Sequence, residues 1–159
     1  MAEFNRHEMY MLLNQTKPLW LSHVDLSGMD LRGINLRGAT LIRANLSNAH
    51  LEGVDLREAN LGGANLKGAI LIGADLRKAS LRGTQLQGTD LREANLAESD
   101  LFEADLSNAN LLAANLGGAD LTSANLSNAN LLNTNIPDYR ILRAKSLSGA
   151  IMPDGSKSE

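Results

Sequence analysis

The sequence predicts an all-β fold, a parallel β-helix with a four-sided coil, on three observations. Leucine recurs at every fifth position from 21 to 131, and Ile136 and Ile141 continue the series. A small residue, mostly Ala, stands two positions before each leucine, as at Ala39, Ala44, Ala49, Ala59 and Ala64. Asp or Asn usually lies between them, as at Asp55, Asn60, Asn65 and Asp75, so the unit reads A-(D/N)-L-x-x.

A period of five suits neither regular structure by itself. On an α-helix, a step of five rotates the side chain by about 140° and scatters the leucines around the cylinder. On one straight strand, an odd spacing sends successive leucines to opposite faces. All of them share one interior only if the chain turns once per repeat. Turns of roughly a right angle close a coil after about twenty residues, and coils then stack at the ~4.8 Å strand spacing in parallel ladders. Within each short side, Ala and Leu point in and Asp or Asn points out.

The other positions fit. The second residue after leucine is often Gly, as at Gly28, Gly33, Gly38 and Gly53, which suits a corner that needs unusual backbone angles. No Pro interrupts residues 19–136, so no ladder donor is lost there. A narrow shaft of stacked leucines has no room for rings, which accounts for only one Trp, two Tyr and two Phe.

Residues 1–18 are expected to form an N-terminal cap. Phe4, Met9, Met11, Leu12 and Leu13 read as a short amphipathic helix over the first coil, ended by Pro18, with Trp20 packed beneath it. Residues 19–143 form the solenoid. Residues 144–159 are expected to be a disturbed last coil and a C-terminal tail. Six residues separate Ile141 from Leu147 and five separate Leu147 from Met152, so the phase slips. The disturbance is marked by Ile136-Pro137-Asp138-Tyr139. Either a bulge adds a residue or Asp138 caps a short helical turn, and a disturbed coil is the favoured form. Residues 155–159 are expected to be loose.

The A-(D/N)-L-x-x units, with the ending Ala150-Ile151-Met152-Pro153-Asp154-Gly155-Ser156, resemble the pentapeptide repeat protein family, abundant in cyanobacteria. The resemblance covers residues 19–152 and implies a right-handed quadrilateral parallel β-helix. It also implies a possible activity, since some members mimic B-form DNA and bind DNA gyrase. Such mimicry needs strongly negative faces along a dimeric rod. Here Arg32, Arg37, Arg43, Arg57, Lys67, Arg77, Lys78, Arg82 and Arg92 interrupt the acids.

Composition narrows the function further. The chain has 159 residues, as expected for one domain, and a net charge of −3, which favours no direct nucleic-acid binding. It has no Cys, which excludes disulfides and thiolate chemistry and fits a reducing, cytoplasmic setting. No apolar stretch approaches spanning length, so no membrane partner is expected. The N-terminus lacks the pattern of a secretory signal. His7 belongs to the expected cap, while His23 and His50 fall on different faces of the coil, with no carboxylates gathered round them, so neither a metal nor another cofactor is expected. No nucleophile elbow or phosphate loop occurs, and no catalytic residue is assigned.

Two outward columns remain as candidate surfaces for an unknown protein partner. Folding in twenties stacks Arg37, Arg57 and Arg77, flanked by Asp55, Asp75, Glu58, Lys78 and Glu98. This column is either an anion or partner stripe or a solvated face of alternating sign. A second face carries Ile70, Ile72, Leu112 and Leu132 outward with Arg92 between them, a candidate apolar contact. The expectation is a non-enzymatic interaction or scaffolding solenoid, monomeric or weakly dimeric, with gyrase mimicry as the alternative.

Overall fold

One pentad shows how the backbone is held. In the computed structural model, which describes residues 18–159, Ala64 N–H donates to Leu61 O at 2.9 Å and closes a turn. Asn65 N–H reaches back one coil to Ala44 O at 2.9 Å, and Leu66 N–H reaches forward to Gln85 O at 2.7 Å. Gly68 N–H also reaches forward, to Gln87 O at 3.0 Å. The fifth donor, Lys67 N–H, goes to Oδ1 of Asn65 at 3.2 Å. Every N–H of the pentad therefore has a partner, as a tightly stacked backbone requires.

This cycle explains the Asp/Asn preference. A short side chain carrying an oxygen accepts the N–H two residues on, the geometry of an Asx turn. The same bond recurs from Ser27 N–H to Asp25, Arg57 N–H to Asp55, Phe102 N–H to Asp100 and Leu132 N–H to Asn130.

The ladder partner is twenty residues away along the whole regular region. Asn45 pairs with Asn65, Asn65 with Gln85 and Gln85 with Asp105, all parallel. Each pairing is a single bridge between turns, so no side is long enough to be an extended strand. The chain is a repeat solenoid with one turn per pentad and four pentads per coil. The leucines of the series from 21 to 131 are at most 1% exposed and form one core with the alanines. In the first coil Val24, Met29 and Ile34 occupy the alanine positions and are partly buried. The expected cap helix lies outside the described residues. Trp20 is 77% exposed, so it is not packed away as the sequence suggested.

The third residue of each turn from 23 to 133 has φ between 54° and 78°. Positive φ at that place is what a type II turn demands. Thirteen of these corners carry a side chain, and an L-residue there costs roughly 1–2 kcal/mol. Ala113, at φ 57°, has no polar group with which to offset that cost. Ala113→Gly is therefore expected to raise stability by about 0.5–1 kcal/mol, after the extra chain entropy of Gly is subtracted. Urea unfolding checks this, and the same change at Asn108 is expected to gain less, because Asn tolerates positive φ.

The regular coil ends at a four-residue helix, Asp138–Ile141, and the ladder then resumes with an offset of twenty-one, at Asn125 with Ser146 and Asn130 with Ile151. The inserted residue is thus accommodated by a helical turn. Pro137, in an extended conformation, is its N-cap, and Asp138 is its first helical residue and makes no capping bond. Of the two alternatives the sequence left open, a bulge or a helical turn capped by Asp138, the helical turn is present. A fixed proline φ before it, however, makes Pro137 the entry residue instead of Asp138. Arg140 pins the turn to the coil below, donating from Nη1 to Gly118 O at 3.3 Å and Ala119 O at 3.2 Å. Ile141 faces the core, fully buried, while Leu142 leaves it, 73% exposed.

The tail expected to be loose is folded. Asp154 Oδ1 accepts Ser156 N–H at 2.9 Å, and Gly155 turns the chain at φ 86°. Lys157 then pairs antiparallel with Ile151.

Candidate functional site

The arginine column is a chain of charge-assisted bonds. Arg57 Nη2 lies 2.7 Å from Asp55 Oδ2, and its Nε lies 3.6 Å from Asp75 Oδ2 on the next coil. Arg77 Nη2 is 2.8 Å from Asp75 Oδ2, and Arg37 Nη2 is 2.7 Å from Glu58 Oε1. Lys78 Nζ and Glu98 Oε2 extend the series at 3.7 Å. An open groove runs along Arg37, Arg57, Glu58, Arg77, Lys78 and Glu98. Each guanidinium in it already faces a carboxylate, so the column has the arrangement of the alternating-sign face. Exposed pairs of this kind contribute ~0–1 kcal/mol each.

These bonds set the acidity of the carboxylates. Side-chain hydrogen bonds from Arg57, Arg77 and Arg92 hold Asp55, Asp75 and Asp90 below the usual carboxylate range, against partial burial, and the N–H two residues on adds to the effect. Arg32 does the same for Asp30. Hydroxyl groups replace the arginine at Asp25 and Asp120, where Ser27 and Thr122 lead. At Asp105 burial pushes upward most, yet bonds from Ser107, Gln87 and Asn125 together bring the carboxyl below its ordinary value. A carboxylate whose folded pKa is depressed stabilises the fold above its unfolded pKa, about 3.9, and loses that contribution as pH falls toward the folded value. The melting temperature is expected to stay level above about pH 5 and to drop as pH falls below ~4. Asp90→Asn, which keeps the acceptor oxygen, is expected to weaken that acid response in a pH series of thermal melts.

The apolar face is broken into two parts. Ile70 sits in the ladder between His50 and Asp90, and it and Ile72 are half-buried. The Arg92–Asp90 pair, at 2.7 Å, separates them from Leu112 and Leu132, also half-buried. The large side chains that stand most exposed are elsewhere: Trp20, Tyr139 at 67% and Leu142 at 73%. Beside Leu142 an open groove is lined by Asp138, Met152, Pro153, Asp154 and Ser156. Gly155, between Asp154 and Ser156 in the chain, lies close to Leu132, since an added Cβ there would meet Leu132 Cδ1 at 3.5 Å. Leu132 therefore leads onto this end of the solenoid, while the pair Ile70 and Ile72 does not. Sequence reasoning missed Tyr139 and Leu142. Their signal was an inward Ile141 on a helical turn, which forces its neighbours outward.

Another aromatic lies beside a cation: the Arg82 guanidinium is stacked 4.3 Å from the Phe102 ring centroid and bonded to Asp100 at 2.9 Å. No group of three or more His, Cys, Asp or Glu is arranged to hold a metal among the described residues, and no helix there is long and apolar enough to cross a membrane.

The class is a repeat solenoid with a filled leucine core and an outer surface of paired charges and Asx turns. The family model for pentapeptide repeats matches it in eight copies, over residues 21–58, 59–97 and 99–136. The chain belongs to the pentapeptide repeat family. The crystal structure of a pentapeptide repeat protein from Nostoc PCC 7120 is similar at 34% identity, covering 69% of this chain and 82% of that one, with a TM-score of 0.52. QnrB1, a plasmid-mediated fluoroquinolone resistance protein, shares the fold at 21% identity, covering 83% and 81%, with a TM-score of 0.50. No curated protein matches the chain.

Proposed function

We propose that this protein is a non-enzymatic interaction module: a rigid, right-handed quadrilateral β-helix that docks a protein partner, in a cytoplasmic setting. The hand follows the strong preference of parallel crossovers for right-handed connection. The observation that carries the reading is the contrast between the column whose Arg57 and Arg77 face carboxylates and the exposed Tyr139 and Leu142, the latter sharing a groove with Met152. Exposed aromatic and aliphatic side chains are what the centre of a protein interface is made of. A core filled by leucine and alanine supports the absence of catalysis, because it provides no recess in which to enclose a substrate.

Affinity capture tests this. A partner drawn from the native lysate by the intact chain is expected to be lost with Tyr139→Ser/Leu142→Ser. It is expected to be kept with Arg37→Glu/Arg57→Glu/Arg77→Glu. Loss of the partner only in the arginine variant would move the contact to that column and refute this placement. The alternative, gyrase mimicry, needs an uninterrupted negative face, whereas Arg57 and Arg77 neutralise the acids beside them. Gyrase supercoiling is accordingly expected to be unaffected by a large excess of the protein.

A further inference from the structure

The folded tail does more than end the coil. Gly149 N–H donates to Ser158 O at 3.0 Å, Ser158 N–H donates to Ala150 O at 2.8 Å, and Met152 N–H donates to Ser156 O at 2.8 Å. These groups belong to the last rung of the ladder, on the face that also carries Asn110, Asn130 and Ile151. Among the described residues every other bridge is parallel, and only Ile151 with Lys157 is antiparallel. The rung itself is attractive to another chain, since Ile151 is 38% exposed and its neighbour Met152 is only partly buried.

Without the tail, a rung of this kind would be a template for edge-to-edge association. A second copy of the chain, related by a two-fold axis perpendicular to the rung, would offer the same rung running antiparallel, because an isologous contact joins the same patch of both copies and the rotation reverses the direction of the chain. The tail runs in that direction and uses the same backbone groups. We propose that residues 155–158 are a built-in edge strap that occupies the position a second copy's last rung would take, and so keeps this end of the solenoid from pairing with itself. The turn that returns the strap is set by Gly155, at φ 86°, and by the Asp154 side chain, which accepts both the N–H and the hydroxyl of Ser156.

Ser158→Pro removes the donor to Ala150 O, and Gly155→Val/Ser158→Pro also strains the turn. Hydrogen exchange on the full-length chain reads whether the strap has lifted, through the Gly149 and Met152 amides, while the Leu66 amide reports the intact core. Light scattering over a concentration series reads association. The expected result is faster exchange at Gly149 and Met152, with Leu66 still protected, and a mass that climbs with concentration to about twice that of the native chain or more. Exposed Gly149 and Met152 amides with a mass equal to the native value would overturn the proposal. So would amides that stay protected in both variants, since the strap would then not be what covers them.

Discussion

Leu66→Ala is expected to lower the unfolding free energy by about 2–5 kcal/mol. Leu66 is fully buried and belongs to a column of leucines one coil apart, with Leu46 before it and Leu86 after. In many cores a truncated leucine is partly compensated by inward movement of its neighbours. Here the walls are fixed, because the donors around the site are tied to adjacent coils, as Leu66 N–H is to Gln85 O and Asn65 N–H to Ala44 O. A wall that cannot move leaves the cavity open, which places the loss toward the upper end of that range. A solenoid is also coupled chiefly through neighbouring coils, so a defect near its middle weakens the link between the two halves. Urea unfolding followed by circular dichroism is expected to show a lower midpoint and a broader transition. Lys67→Ala, one residue along and exposed, is expected to stay within ~0.5 kcal/mol of the native value.

Ala69→Phe is expected to destabilise at least as strongly as ordinary overpacking, which costs ~1–3 kcal/mol. Ala69 is fully buried, and its column neighbours Ala49 and Thr89 are as well. Thr89 is held in place by its hydroxyl, which donates to Leu66 O at 3.1 Å and Leu86 O at 2.8 Å. A ring at position 69 has to displace that threonine or part the rungs, and either loses hydrogen bonds in addition to packing. Ile70→Phe, at the next position, points outward and is expected to melt near the native temperature. Thermal melts of the two variants, made side by side, test the alternation of inward and outward residues directly.

The repeat was open to sequence reasoning because its cause is local and periodic. Each leucine needs one turn before it and one after, so the period can be read without knowing any distant contact. The role of Asn65 and its equivalents was legible in outline, as side chains bonding to their own corner. The positive φ at Glu58, Glu93 and Glu103 was not, since nothing in a glutamate signals a left-handed corner; the ladder imposes it from outside. The ends were harder for the same reason. The slip between Ile141 and Leu147 was visible, but whether a bulge or a helical turn absorbs it depends on Arg140 reaching Gly118 and Ala119, a contact across twenty-two and twenty-one residues. The tail read as loose because it lacks the repeat, yet it pairs through backbone groups, which composition does not report. The stacking of Arg57 over Arg77, through Asp55 and Asp75 one coil apart, followed from the twenty-residue period. What the sequence could not show was that the charges of Arg57 and Arg77 are already matched, or that Tyr139 and Leu142 stand exposed.

The central claim is that residues twenty apart are neighbours and residues ten apart are not. The absence of cysteine makes this testable by paired substitution. Ser47→Cys/Lys67→Cys puts two thiols on one face, one coil apart, at the ~4.8 Å rung spacing and within the range a disulfide spans. Ser47→Cys/Arg57→Cys puts them half a coil apart, on opposite sides of the leucine core. Under mild oxidation the first pair is expected to close into an intramolecular disulfide and the second to remain reduced. Closure of the 47/57 pair with the 47/67 pair left open would contradict the twenty-residue coil and everything built on it.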